Sequence, residues 1–211
     1  MSRFLSNSLM LAVFCACFYL LTSSINWLAS GHQHEQSHEF SFDRRQADQF
    51  WHKRRWSDAA VYYKNLTESD PYNGNAWFFL AECVGNQRYE MVRKIYQAEK
   101  KGSDEKRIDE YRKRAKEIGV DAVAYYKKAV GFPRFANRSR YNIACILAFG
   151  GDADEALEYL QEAVNNSYYC NVRGGLGNAY ELRSLRGLSD FDEVCQTERE
   201  NYNRSHGGRL R

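Results

Sequence analysis

Residues 141–164 read Tyr-Asn-Ile-Ala-Cys-Ile-Leu-Ala-Phe-Gly-Gly-Asp-Ala-Asp-Glu-Ala-Leu-Glu-Tyr-Leu-Gln-Glu-Ala-Val, and this stretch decides the fold. Ile143, Ala144 and Leu147 fall on one side of a helix of 3.6 residues per turn, and so do Ala156, Leu160 and Ala163 at i, i+4 and i+7. Gly150-Gly151-Asp152 stands between the two stripes. A glycine suits the left-handed exit of a helix, and Asp152 can accept hydrogen bonds from the first amides of the next one. Glu155, three residues on, can complete a capping box. The stretch therefore reads as helix, tight turn, helix.

The same pattern recurs upstream. Ala59, Tyr63 and Leu66 have the spacing of Ala156, Leu160 and Ala163, as do Ala122, Tyr126 and Ala129, and the last two copies lie 34 residues apart. A degenerate copy, Val92 and Tyr96, has Glu99 at its third position. Matching first helices open at Trp77, with Leu80, Ala81 and Val84, and at Arg140. The segment 103–118, with Ile108, Tyr111, Ala115 and Ile118 in a stripe, fills the same role before Ala122. Pro71-Tyr72-Asn73-Gly74 forms a turn. No sustained alternation marks strands. The predicted architecture is all-α, an α-solenoid of antiparallel helix pairs, with three recognisable pairs, one degenerate pair and a C-terminal cap. A single pair cannot bury its apolar face, so about three must stack.

These residues resemble the tetratricopeptide-repeat family. Trp77 and Leu80 match its first-helix signature, with Ala81 in place of the small glycine, and Ala59, Tyr63 and Pro71 match the second-helix half. Leu182-Arg-Ser-Leu185-Arg186 followed by Asp190-Phe191-Asp-Glu-Val194 resembles the terminal variety of repeat. The resemblance covers roughly 43–200. It implies an extended concave face, lined by the first helices, that holds a protein or peptide.

The N-terminus is a separate object. From Phe4 to Gly31 no residue is charged, and 9–29 is an uncharged 21-residue span that opens on the apolar run 9–21. That length crosses the ~30 Å hydrocarbon core of a bilayer as a helix, with Trp27 at an interfacial position. The 13-residue run 9–21 also has the length of a signal-peptide apolar region, with Thr22-Ser23-Ser24 for cleavage. Span length favours an uncleaved anchor. Arg3 precedes the segment and no Lys or Arg follows through Glu39, so the rest of the chain is exported in either case. The domain reading is thus 1–31 signal anchor or signal peptide, 32–42 polar linker, 43–200 repeat domain and 201–211 disordered basic tail. The localisation is single-pass membrane with the repeats outside the cytoplasm, or secreted or periplasmic after cleavage.

The 211-residue chain has 30 Lys and Arg against 27 Asp and Glu, 15% aromatics and 2 Pro. That many rings excludes a disordered chain. A net charge of +3 is too small to imply nucleic acid by itself. The charge-rich segment 100–117 interleaves acids with bases, which suits a solvated helix, so no nucleic acid is expected. Sequence motifs for a phosphate loop, a zinc protease or a serine hydrolase are absent, so no enzyme, cofactor or small-molecule substrate is indicated. Cys83 and Cys145 read as small core residues. Cys170 and Cys195 flank the cap and are read either as a pair pinning it or as two separate buried thiols. The rival reading is thiol or metal chemistry at Cys170 and Cys195 or at the His32, His34 and His38 linker. The linker histidines otherwise read as a polar spacer.

The leading expectation is an exported, membrane-tethered interaction scaffold. Its partner-binding residues should be exposed positions on the first helices: Arg44, Asp48, Phe78, Glu82, Lys106, Lys113, Arg138 and Tyr141. Phe78 stands out because Trp77-Phe78-Phe79 cannot place three rings on one buried face.

Overall fold

A computed structural model describes residues 43–170 and 175–206. The chain divides into two units, 1–45 and 46–211, and the packing below belongs to the second. The segment 1–31, with the anchor or signal reading, and the histidine linker lie outside the described residues. Among those residues every regular element is helical. Among the described residues no helix is long and apolar enough to cross a membrane.

Residues 43–52 are helical (α1). Then come α2 (Trp56–Ser69), α3 (Gly74–Lys100), α4 (Glu105–Val130), α5 (Pro133–Gly150) and α6 (Ala153–Asn165). Two 3₁₀ turns, Leu176–Asn178 and Tyr180–Leu185, lead to α7 (Ser189–His206). The connections between α2 and α6 are two to four residues long, which folds each helix back along its neighbour. From α2 to α6 each helix packs chiefly on the next one in the chain, the second 3₁₀ turn covers α5, and α7 closes on α6.

The turns follow from their residues. Asn73 caps α3 by accepting from the Ala76 amide at 3.0 Å, and the Trp77 indole donates to the Pro71 carbonyl at 2.9 Å. Pro133 sits in the first turn of α5, where its missing N–H costs nothing. Gly151 ends α5 at φ 104°, a left-handed conformation that a side chain would strain. Asp152 occupies the N-cap of α6 without a side-chain cap bond. Glu155 reaches Lys127 at 3.2 Å instead, so the anticipated capping box does not form.

All three full triplets are interior. Ala59, Ala122, Ala129, Ala156, Leu160 and Ala163 are fully buried, and Tyr63, Leu66 and Tyr126 nearly so. Ala122, Tyr126 and Ala129 pack with Phe78, Ala81, Ile143 and Ile146. Ala156, Leu160 and Val164 pack with Ala144, Leu182, Leu185 and Phe191.

Two expectations are corrected. The degenerate copy at Val92 is not a separate second helix, and 103–118 is not a separate first helix. α3 is continuous for 27 residues and α4 for 26, about 40 Å each. The glycines in the middle are spacers at helix crossings. A Cβ on Gly85 would stand 2.8 Å from the Tyr126 hydroxyl, and one on Gly119 would stand 3.0 Å from Ile146 Cγ2. The distal halves of the two helices meet through Ile95, Ala98 and Ile108. The sequence therefore holds one elongated pair where two short ones were expected.

The second correction concerns the C-terminus. α7 runs to His206, so the tail expected from 201 is helical over its first six residues. Buried Asn201 is the reason: its amide donates to the carbonyls of Val164 and Tyr168 at 2.7 and 3.0 Å.

Candidate partner-binding site

Phe78 and Glu82 stand one turn apart on α3 and face α4 and α5. Neither is exposed, which overturns the expectation for both; their relative exposures are 4% and 6%. All three rings of Trp77-Phe78-Phe79 pack because α3 has neighbours on several sides. Phe79 stacks on Tyr63 with ring centroids 5.4 Å apart. Trp77 lies against Tyr125 at 6.3 Å, and Phe78 stacks on Phe135 at 4.4 Å.

A buried carboxylate is stable only when its oxygens are bonded, and Glu82 has three donors. The Tyr126 hydroxyl and the Asn142 amide donate to Oε1 at 2.9 and 2.7 Å. Arg138 Nη2 donates to Oε2 at 2.5 Å. The Arg138 guanidinium also lies 5.3 Å from the Phe78 ring centroid. Burial first, and then the neighbouring Glu82 charge, push the Tyr126 phenol well up, so it stays a donor. Burial, again with Glu82, raises the Cys83 thiol to about 12.

The Arg138 side chain is 60% exposed although its tip is anchored. One turn along α5, Tyr141 is half-buried and stacks on Tyr168 at 5.3 Å. The Cys170 thiol donates to its hydroxyl at 3.5 Å. Arg138 thus forms the outer edge of a cluster whose inner members are Phe78, Glu82, Tyr126, Phe135 and Asn142, while Tyr141 packs against Tyr168 and Cys170 in the neighbouring cluster. A guanidinium held by ring and carboxylate is oriented before any partner arrives.

The remaining anticipated residues do not join it. Arg44 is exposed on α1. Asp48 accepts from the Tyr63 hydroxyl at 2.8 Å, a contact between α1 and α2. Lys106 and Lys113 are exposed on the distal half of α4. Sequence reasoning missed Tyr126, Asn142 and Phe135 as members. The available signal was the spacing of four between Phe78 and Glu82 and between Arg138 and Asn142, which puts each pair on one helix face.

A second polar junction ties the distal helices to the cap. Glu99 on α3 accepts from the Tyr180 hydroxyl at 2.8 Å and pairs with Arg112 of α4 and Arg183 of the 3₁₀ turn, both at 3.1 Å. The Arg183 hydrogen bond, helped by Tyr180 and Arg112 and opposed by burial, holds the Glu99 carboxyl down at about 2.

Cys83, Cys145, Cys170 and Cys195 are all buried, free thiols, so Cys170 and Cys195 are not paired. Burial raises Cys145 and Cys195 as well, which keeps those sulfurs protonated and poorly nucleophilic. Among the described residues no three His, Cys, Asp or Glu side chains cluster to hold a metal ion. No protein-family model matches the chain, and no curated protein matches it.

Proposed function

We propose that the protein is a helical-repeat scaffold of tetratricopeptide type. It binds a protein or peptide on the face of its first helices and is tethered to a membrane by residues 1–31, with the repeats outside the cytoplasm. The observation that carries this reading is the burial of all three Ala-centred triplets at the contacts between consecutive helices. Small residues at that spacing let helices approach closely and stack in order. The Arg138 side chain, largely exposed and oriented by Glu82 and the Phe78 ring, suits an acidic or aromatic peptide. Binding is favoured over thiol chemistry because Cys170 and Cys195 are both buried, and burial pushes the Cys195 thiol upward.

The test is cross-linking and affinity capture of the full chain from native membranes, in parallel with Arg138→Glu. The proposal requires a partner recovered with the natural chain and lost with the variant at unchanged helicity. Equal recovery by both chains removes this face from the proposal. Intact mass of the membrane-derived protein addresses the tether. A mass lacking about the first two dozen residues, in the soluble fraction, replaces the anchor with a cleaved signal.

A further inference from the structure

Two free thiols meet at one side chain where α5 faces the segment after α6. The Cys170 thiol donates to the Tyr141 hydroxyl at 3.5 Å. Cys145 follows Tyr141 by one turn of α5, and residues four apart on a helix are neighbours with Cβ atoms about 5–6 Å apart. A helical side chain leans back over the preceding turn, which directs Cys145 toward the Tyr141 ring. Burial is the chief cause that pushes the Tyr141 phenol far up. The Cys145 and Cys170 sulfurs come next, both within hydrogen-bonding reach of its hydroxyl. Two sulfurs on one oxygen stand at most two such contacts apart. Both residues belong to one buried cluster, and each is 5% exposed.

Cys195 is placed differently. Beyond burial, the groups that act on its thiol are Glu198, Arg199 and Asp192, all on α7. Those that act on Cys145, again beyond burial, include Cys170. Cys170 is held in position by its own amide, which donates to the buried Glu198 carboxylate at 2.8 Å. Sequence order sets Cys170 against Cys195 across the cap, whereas the packing sets it against Cys145.

We propose that Cys145 and Cys170 are the disulfide pair of this chain, closed as it folds in an oxidising compartment. The compartment follows from the exported reading above; the pairing rests on the packing alone. The oxidant is a disulfide, RSSR, of the compartment. One cysteine thiolate attacks a sulfur of RSSR, expels RS⁻ and leaves a mixed disulfide. The other thiolate then attacks the protein-bound sulfur of that intermediate, forms the Cys145–Cys170 bond and expels the second RS⁻. The two cysteine protons end on two RSH, so the pair loses two electrons and the oxidant gains them. Closure precedes the sealing of the cluster, because burial raises the Cys145 thiol in the finished fold and a protonated sulfur attacks poorly. The bond ties α5 to the segment that leads from α6 toward the cap.

The full chain in detergent micelles tests the pairing, unfolded and reduced, refolded in reduced and oxidised glutathione, then alkylated. Trypsin releases both cysteines in one peptide, 141–173, so the bridge reads as that peptide lacking two hydrogens and carrying no alkyl group. Reduction of the refolded chain lowers its melting temperature by about 5–10 °C, because the bridge no longer restricts the unfolded loop 145–170. Cys145→Ala with Cys170→Ala removes that redox dependence. A bridge between Cys170 and Cys195, which joins two tryptic peptides, overturns the proposal. So does a fully alkylated 141–173, or a redox dependence that survives in the double variant. Protein from native cells, alkylated with N-ethylmaleimide before lysis, decides the compartment, and the unalkylated peptide is expected there too. Free thiols in cells together with a bridge in the refolded chain overturn the exported reading and leave the pair standing.

Discussion

The Tyr126 hydroxyl donates to the buried carboxylate of Glu82 at 2.9 Å, across 44 residues of chain. The bond joins the proximal halves of the two longest helices at the point where Gly85 lets the ring approach. Tyr126→Phe keeps the ring and removes the donor. Glu82 then keeps Asn142 and Arg138, so the loss is that of one hydrogen bond to a charged acceptor, about 1.5–3 kcal/mol. Urea unfolding of the full chain reads it as a lowered midpoint at constant slope. A midpoint equal to the natural protein's means that the bond contributes nothing.

Ala156 is fully buried, at the crossing of α6 with α5 and the C-terminal cap. Ala144, Leu160, Leu182, Leu185 and Phe191 share its buried cluster. Ala156→Leu overpacks the crossing and destabilises the fold by about 1–3 kcal/mol. Thermal unfolding followed at 222 nm checks this, and an unchanged melting temperature shows that Ala156 is not at a packed crossing.

Periodicity made the interior legible. Ala59, Tyr63, Ala122, Tyr126, Ala156 and Leu160 announce themselves through spacing alone, and each is buried. The turn at Gly151 was equally readable, because a glycine's left-handed exit is a local property of the chain, whereas the capping expected of Asp152 and Glu155 does not form. The length of α3 was not. Whether Gly85 ends a helix or sits at a crossing depends on Tyr126, which is 41 residues away in sequence, and local patterns carry no such information. The same holds for the candidate site. Phe78 and Glu82 read as surface because a first helix is expected to bury one face and expose the other, whereas α5 covers the side on which they lie. Arg138 was visible as a charge on a first helix, but its anchor, Glu82, is a tertiary fact.

Glu99 predicts a pH dependence. Its carboxyl is held down at about 2 from an ordinary value of 4.5, chiefly by Arg183. A carboxyl that binds its proton more weakly when folded than when unfolded favours the folded state above the unfolded value, and that contribution disappears as the pH falls. The window is therefore pH 4.5 down to about 2. The group is partly exposed, with 29% of the side chain accessible, so solvent screening limits the contribution to about 1 kcal/mol. Glu99→Gln lowers stability at neutral pH by that amount and flattens the acid slope. A variant with the natural slope across the window places the acid sensitivity elsewhere.

The continuity of α3 separates the elongated pair from two short ones by a single substitution. Tyr89 is 51% exposed in mid-helix, four residues after Gly85 and two before Met91, where a turn between short helices would fall. Its side chain contributes little packing, so its replacement reads the backbone. In a continuous helix, Tyr89→Pro removes the amide bond to the fourth preceding carbonyl and drives the ring against it, which costs about 3 kcal/mol or more. In a turn, proline is tolerated within a few tenths to about 1 kcal/mol, and can even stabilise by narrowing the unfolded ensemble. Tyr89→Ala controls for the lost ring. A large drop in the urea midpoint for Tyr89→Pro, with little change for Tyr89→Ala, establishes one helix from Gly74 to Lys100. Equal midpoints for the two variants restore the pair of short helices. Helicity at 222 nm gives an independent reading, since a break at 89 in the continuous helix also frays the Ile95–Ala98–Ile108 contact beyond it.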